Sequence, residues 1–283
     1  MVKSDIKILF ENDNILLINK PAGISVTADR SGAADILKLL VEQLNPAEPL
    51  RLVHRLDKDT SGIMLLAKNR EAQSRYSRGF AKREIKKLYL AIVRGPLTRS
   101  EGIIKAPIAR SQRNPQAMHI HPRKGKPAVT HWSKLIDFGS LALLAAQPLT
   151  GRTHQIRIHM AHRGIPLAID PVYAQDNPIM LSDHKHGYHR KAAEEEPPLI
   201  ERLTLHAYQL CIPMGPVDSP HEKIFVAPME KKFAAAVKML TKHACPVSGA
   251  EYVQQILNTL KNTAPLPFPE QVHQEIELAE PEE

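Results

Sequence analysis

The stretch LVHRLDKDTSGIMLLAKN, residues 52–69, sets a His-Arg pair and two aspartates ahead of a Thr-Ser-Gly turn, then runs into an apolar segment. Residues 63–67 are uncharged and too short for a helix, so they read as a buried strand. Asp57, just before that strand, has three open readings. It can cap a helix, pair with a nearby arginine, or act as a reactive carboxylate. The rest of the chain has to choose between them.

Working outward, residues 6–10 and 15–19 read as short strands around Glu11-Asn12-Asp13-Asn14, and Pro21-Ala22-Gly23 breaks the chain after them. Helical spacing runs over residues 33–43 and again over 70–82, where Ala72, Tyr76 and Phe80 share one face. In KLYLAIVRG (residues 87–95) the strand period puts Leu88, Leu90 and Ile92 on one face and Tyr89, Ala91 and Val93 on the other. Residues 107–127 lack periodicity and read as one long basic loop. Strands are expected at 129–137, 141–148 and 203–212, with a helix at 153–162 behind the Thr150-Gly151 turn. Residues 174–199 look like an insertion, and two amphipathic helices follow. Strands and helices do not alternate regularly, which predicts an α+β fold and not a doubly wound one. The expected organisation is a catalytic domain over 1–245, a helical extension over 246–263, and an acidic, unstructured segment over 264–283.

The 283 residues carry a net charge of +8 with 43% hydrophobic residues, enough to bury a core. Six glutamates and no Lys or Arg occupy residues 264–283, so residues 1–263 alone carry +14. That is the electrostatic footprint of a protein that binds a polyanion, nucleic acid above all. Two cysteines, Cys211 and Cys245, give no disulfide framework or zinc spacing, and no apolar run approaches a membrane span. A cytoplasmic, monomeric protein is expected.

No Walker loop, GxGxxG or GxSxG elbow is present. Histidines cluster at His119/His121, His154/His159/His162 and His184/His186/His189, but without cysteines or an HExxH pair, so no metal site is expected. TGRTHQIRIH (residues 150–159) offers Arg152 and Arg157. If Arg157 met Asp57 across the fold it would orient the carboxylate, and Tyr89 could complete a trio. Spacing alone favours an ordinary structural network for these residues.

VHRLDKDTSG (residues 53–62) closely resembles the catalytic motif of the RluA-type pseudouridine synthases. The turn NKPAG at 19–23, KLYLAIVRG, GKPAVTHW at 125–132, TGRTHQIRIHMAHRGIPL at 150–167 and RLTLHA at 202–207 are similar to that family's further motifs, in its order. Two departures stand out: Ile169 occupies the family's usual glycine, and Thr27 a position where many relatives have histidine.

The resemblance implies a mixed, mostly antiparallel central sheet flanked by helices and loops. It implies isomerisation of uridine to pseudouridine in structured RNA, ribosomal or transfer, with base flipping and no cofactor. Asp57 would then be the catalytic carboxylate, attacking the nucleotide or abstracting a ribose proton. Tyr89 would pack on the uracil and could take the C5 proton, Arg157 would partner Asp57, Leu205 would wall the pocket, and Arg55 would enter the RNA stack. His54, Thr60 and Arg152 are expected nearby. Arg75, Arg78, Lys82, Arg110, Arg113 and Lys124 are expected along the RNA path, and a basic surface built from them gives the excess charge an address. The competing expectation is a non-catalytic RNA-binding or ribosome-assembly protein on the same fold. A nucleoside hydrolase is a third, weakened by the lack of a second placed carboxylate beyond Asp59.

Overall fold

In the computed structural model, which describes residues 5–27, 34–95, 97–112, 114, 117–185, 188, 195–216, 219–244 and 250–269, the chain opens with β1 (Lys7–Glu11) and β2 (Ile15–Lys20). The turn between them is closed by Asn12, whose Oδ1 accepts the N–H groups of Asn14 and Ile15. Helix α1 (Ile36–Leu44) starts at Asp35, which caps the N–H of Lys38, and stops at Asn45, whose left-handed backbone breaks the helical run. Strands β3 (Arg51–Leu52) and β4 (Ser61–Ala67) bracket the aspartate loop. Helix α2 (Arg70–Ala81) follows, capped by Asn69.

The second half contains β5 (Lys86–Arg94), β6 (Glu101–Lys105), β7 (Ile108–Arg110), β8 (Met118–Ile120), β9 (Val129–Asp137) and β10 (Leu141–Pro148). Then come α3 (Gln155–His162), β11 (Leu205–Met214), β12 (His221–Val226), α4 (Lys231–Ala244) and α5 (Ala250–Lys261). Among the described residues the main sheet runs β1-β2-β4-β11-β5-β10-β9-β6, with β12 added to β11 and β3 to β4. Every pairing is antiparallel except β4 with β11. The architecture is the expected α+β arrangement with a mixed, mostly antiparallel sheet.

The alternation in β5 separates two core layers. Leu88, Leu90 and Ile92 pack with Tyr208 and with Phe233, Val237 and Leu240 of α4, and Ile256 and Leu260 of α5 join the same layer. Ala91 and Val93 face the other way, against Ile156 and Met160 of α3 and Leu205 of β11, with Tyr89 half-buried beside them. A third cluster packs α1 and α2 on β2 and β4.

The parallel seam is where these layers meet. His206 pairs with Ser61 and Ala207 with Gly62. Gly62 has φ +115°, and a Cβ there would lie 2.1 Å from the carbonyl oxygen of Ala207. Only glycine fits. The seam is also pinned by a buried hydrogen bond between Ser61 Oγ and His206 Nδ1 (2.8 Å).

Several elements depart from the sequence expectation. The segment 107–127 contains the β7–β8 hairpin, a two-stranded sheet of its own. β6 and β12 are edge strands, and the His221–Val226 strand is mostly exposed and charged, so neither carries a buried-face pattern. The acidic segment is packed at its start: Leu266 is buried, its N–H and carbonyl are both bonded to Gln209, and Tyr208 donates to the Ala264 carbonyl (2.6 Å). Residues 270–283 lie outside the described residues. Ile169 keeps an ordinary backbone and fills the core, so the family's glycine is not sterically required here.

Gly62→Ala should cost at least about 3 kcal/mol or prevent folding, because the new methyl meets backbone. Gly139→Ala, at φ +81° with nothing within 4 Å of an added Cβ, should cost only about 1 kcal/mol. Thermal denaturation of the pair checks the contrast, and equal losses would refute the seam's requirement.

Candidate active site

The loop between β3 and β4 holds Asp57, and it is fixed from both sides. Beneath it, the fully buried ammonium of Lys20 donates to the carbonyls of Pro21, Ile24 and Lys58 at 2.9, 3.0 and 2.9 Å. Burial pulls the Lys20 pKa down to about 8, although Asp59, Glu230 and Asp57 work to raise it. The N–H of Gly23 also reaches the Lys58 carbonyl, and the N–H of Thr60 closes a turn on the carbonyl of Asp57 (3.2 Å). The sequence marks Lys20 only as part of a turn motif; its three-carbonyl clamp is visible only in the fold.

Arg157 projects from α3 and reaches Asp57 through one nitrogen, Nη1 to Oδ2 at 3.1 Å. Its other edge is gripped by Asp170, with Nε and Nη2 donating to Oδ2 and Oδ1 at 2.8 Å each. The Asp170 side chain is 1% exposed and also accepts the N–H groups of Val172 and Tyr173. Burial opposes the guanidinium's charge, but the hydrogen bond to Asp170 and the charges of Asp170 and Asp57 outweigh it and raise its pKa. Asp57 is the exposed end of this chain, at 25%. Arg157 therefore presents to the carboxylate a donor whose own direction is already set.

The turn before α3 is anchored to β9. Gln155 Oε1 accepts from Thr150 Oγ1 and the N–H of Arg152, while its Nε2 donates to Val129 and Thr130. His159 bridges Thr130 Oγ1 and the Ala106 carbonyl at 2.9 Å each. His154 takes a left-handed backbone (φ 54°) at the helix start and faces Asp57, Nε2 to Oδ2 being 3.8 Å. Among the described residues no group of three His, Cys, Asp or Glu side chains could hold a metal ion. No helix among them is long and apolar enough to cross a membrane.

These groups line an open cleft of about 810 Å3. Tyr89 enters it from β5 opposite Ala207, on the face it shares with Leu205 of β11. Burial, and then the Asp57 charge, push the Tyr89 phenol above its ordinary range, so it stays protonated. Lys87 stands two residues earlier on the same strand face, its Nζ 3.4 Å from the Thr150 carbonyl and its pKa lowered to about 8 by burial.

Arg55 and Arg152 also line the cleft, Arg152 with its Nε on the Pro127 carbonyl. Two more of the expected residues, Thr60 and His54, line the cleft and also hold its loop. Thr60 is 2% exposed, a turn residue beneath the loop. His54 uses Nε2 to accept the N–H of Leu65 (2.9 Å) and stacks on Phe80, and burial, then Lys87, lower its pKa to about 3. A neutral imidazole therefore holds the loop through the strand N–H.

Arg75 and Arg78 lie on α2 and Lys82 at its C-terminal cap, and Arg110 and Lys124 on or beside the β7–β8 hairpin; all lie outside the cleft lining, Arg75 partly buried and the others exposed. Arg113 lies outside the described residues. Sequence reasoning assigns no role to Asp170, Tyr173 or Lys87, and treats His154 only as one of a histidine cluster not expected to hold a metal. Asp170 did carry a signal, being the only acid between His154 and Gln175 in a largely apolar, basic stretch.

Asp170→Ala should destabilise the fold by about 3–5 kcal/mol, because it strands a buried guanidinium. Asp57→Ala should cost about 1 kcal/mol or less, since Arg157 keeps its bidentate partner. Urea denaturation ranks them; equal costs would rule out this hierarchy.

A model of the family described as RNA pseudouridylate synthase matches residues 14–162, from the end of the β1–β2 turn through α3. The chain is 41% identical over 177 residues to ribosomal large subunit pseudouridine synthase D of Nitrosomonas europaea, covering 61% of this chain and 51% of that protein. It is 33% identical over 236 residues to ribosomal large subunit pseudouridine synthase C of Vibrio vulnificus, covering 82% and 69%. The solved structure titled Human RNA Pseudouridylate Synthase Domain Containing 4 superposes with a TM-score of 0.65 at 27% identity, over 83% of this chain and 92% of that one. The chain thus spans about half the length of the Nitrosomonas relative. The family model takes in the loop of Asp57, the strand of Tyr89 and the helix of Arg157, and the chain belongs to the RNA pseudouridylate synthase family.

Proposed function

We propose that this protein is a cytoplasmic RNA pseudouridine synthase that acts as a monomer on uridine in structured RNA. The observation that carries the reading is the carboxylate of Asp57 at the floor of an open cleft, aimed by an arginine that is itself locked by Asp170. The target base cannot be detached and rotated while stacked, so the uridine is flipped into the cleft. Tyr89 and Leu205 supply the apolar walls that hold the uracil, and Arg55 takes the vacated place in the RNA stack.

The chemistry is an isomerisation. The N1–C1′ bond breaks, a C5–C1′ bond forms, C5 gives up its proton and N1 gains one. Asp57 starts it, by attack on the nucleotide or by removing a ribose proton. The protonated phenol of Tyr89 suits packing and hydrogen bonding better than accepting the C5 proton. The exposed cations Arg78, Lys82, Arg110 and Lys124, with Arg75, supply the path for the RNA backbone. The names of the relatives favour large-subunit ribosomal RNA over transfer RNA as the substrate.

Asp57→Asn should lower single-turnover pseudouridine formation on the order of 1,000-fold or more, with RNA affinity changed less than about threefold. Substantial retained turnover would remove Asp57 from the reaction and favour a binding protein. Mapping pseudouridine in ribosomal and transfer RNA, with and without the gene, identifies the substrate. Replacing Arg75, Arg78 and Lys82 together by Gln should flatten the dependence of log affinity on log salt by about 2, and an unchanged slope would move the RNA path elsewhere.

A further inference from the structure

We infer that His154 is a positioning residue for Asp57, held by Tyr173 in the tautomer that turns an Nε2–H toward the carboxylate. This rests on the isomerase reading for its catalytic meaning, but its structural half stands alone.

The argument follows the protons. The N–H of Met118 can only donate, and it does so to the phenolic oxygen of Tyr173 at 2.7 Å. The phenol's own proton is then available to His154 Nδ1, 2.9 Å away. With Nδ1 accepting, a neutral His154 carries its hydrogen on Nε2. That nitrogen lies 3.8 Å from Asp57 Oδ2, the same oxygen that receives Arg157 Nη1. Arg157 thus hydrogen-bonds this oxygen while His154 Nε2 faces it from a longer range, and Oδ1 is the oxygen assigned to the substrate.

The surroundings keep the arrangement neutral. Burial lowers the His154 pKa, with Asp57 and Asp170 working to raise it and Arg157 to lower it further. Those three groups, with the phenol of Tyr173, are the titratable and charged side chains facing it: Asp57 from the β3–β4 loop, Arg157 from α3, and Asp170 and Tyr173 from the segment after α3. Tyr173 is itself raised by burial, so its proton stays in place, and its ring lies 5.3 Å from the Arg157 guanidinium carbon. Protonating His154 would put a hydrogen on Nδ1, opposing the phenol's donor and breaking the relay. Met118 belongs to β8, so the same hydrogen bonds tie the basic hairpin to the imidazole that faces the carboxylate.

Amide side chains separate the two ring nitrogens. A glutamine amide nitrogen can occupy the place of Nε2, whereas the shorter asparagine reaches only that of Nδ1. Asparagine also tolerates the left-handed backbone well, so its failure could not be blamed on strain. His154→Ala and His154→Asn should lower the single-turnover rate at saturating RNA about 10-fold with little change in half-saturating RNA concentration, while His154→Gln stays within about threefold of the wild type. Tyr173→Phe should move the acidic limb of the rate–pH profile.

Rescue by Asn but not Gln, or an unshifted pH profile in Tyr173→Phe, would overturn the positioning role. Independently, nitrogen-15 NMR of histidine-labelled full chain without RNA should show His154 as the Nε2–H tautomer, mixed in Tyr173→Phe. A predominant Nδ1–H form in the wild type would overturn the relay itself. If the wild type makes no pseudouridine in any RNA pool, the isomerase reading and the positioning role fall together, whereas the tautomer is still decided by NMR.

Discussion

One buried guanidinium organises this molecule. Arg157 is almost completely removed from water, and a charge in that position is tolerable only with a well-aligned counterion. Asp170 provides it through two parallel hydrogen bonds, which use two of the fork's three nitrogens and fix its plane. The remaining nitrogen has one direction in which to point, and Asp57 lies there. The carboxylate proposed to react and a structural carboxylate thus share a cation, and they differ in burial. The enclosed one holds the arginine, and the half-open one is held by it.

The aspartate loop is ordered by a second buried cation, this one held by carbonyls. Among the described residues Lys20 is a buried cation whose hydrogen bonds all go to carbonyls, from the turn after β2 and from the loop itself. Peptide oxygens stabilise the ammonium, and the ammonium fixes the backbone on which Asp57 rides. His54 contributes from the other side by accepting a strand N–H. The result is a short, irregular segment with little backbone freedom, a requirement for any group that must meet a reacting atom within a fraction of an ångström.

Much of this was legible in the sequence where burial imposes a period. The strands at 129–137 and 141–148 match their expected bounds, and the two faces of β5 separate as the alternation requires, because both faces are covered. Edge strands β6 and β12 bury little and leave no such trace. The hairpin at 108–120 is too short for periodicity to register. For the site, the motifs supplied Asp57, Tyr89 and Arg157, but the roles of Asp170, Lys20 and His154 depend on which atoms face each other. His154 illustrates the limit: its spacing with His159 suggests shared ligation, whereas the left-handed turn at the helix start sends the two rings to different partners.

The parallel pairing of β4 with β11 has a consequence for the making of the protein as well as its working. Strand β4 is synthesised early, yet its partner lies about 145 residues later, and Leu205, a wall of the cleft, comes with that partner. No nascent chain that stops short of β11 can complete the cleft, and closing so long a loop is among the slower steps available to a folding domain. The cations proposed to guide RNA come earlier, since α2 and the hairpin precede β11. A growing chain would therefore acquire attraction to nucleic acid before it acquires an assembled reactive centre.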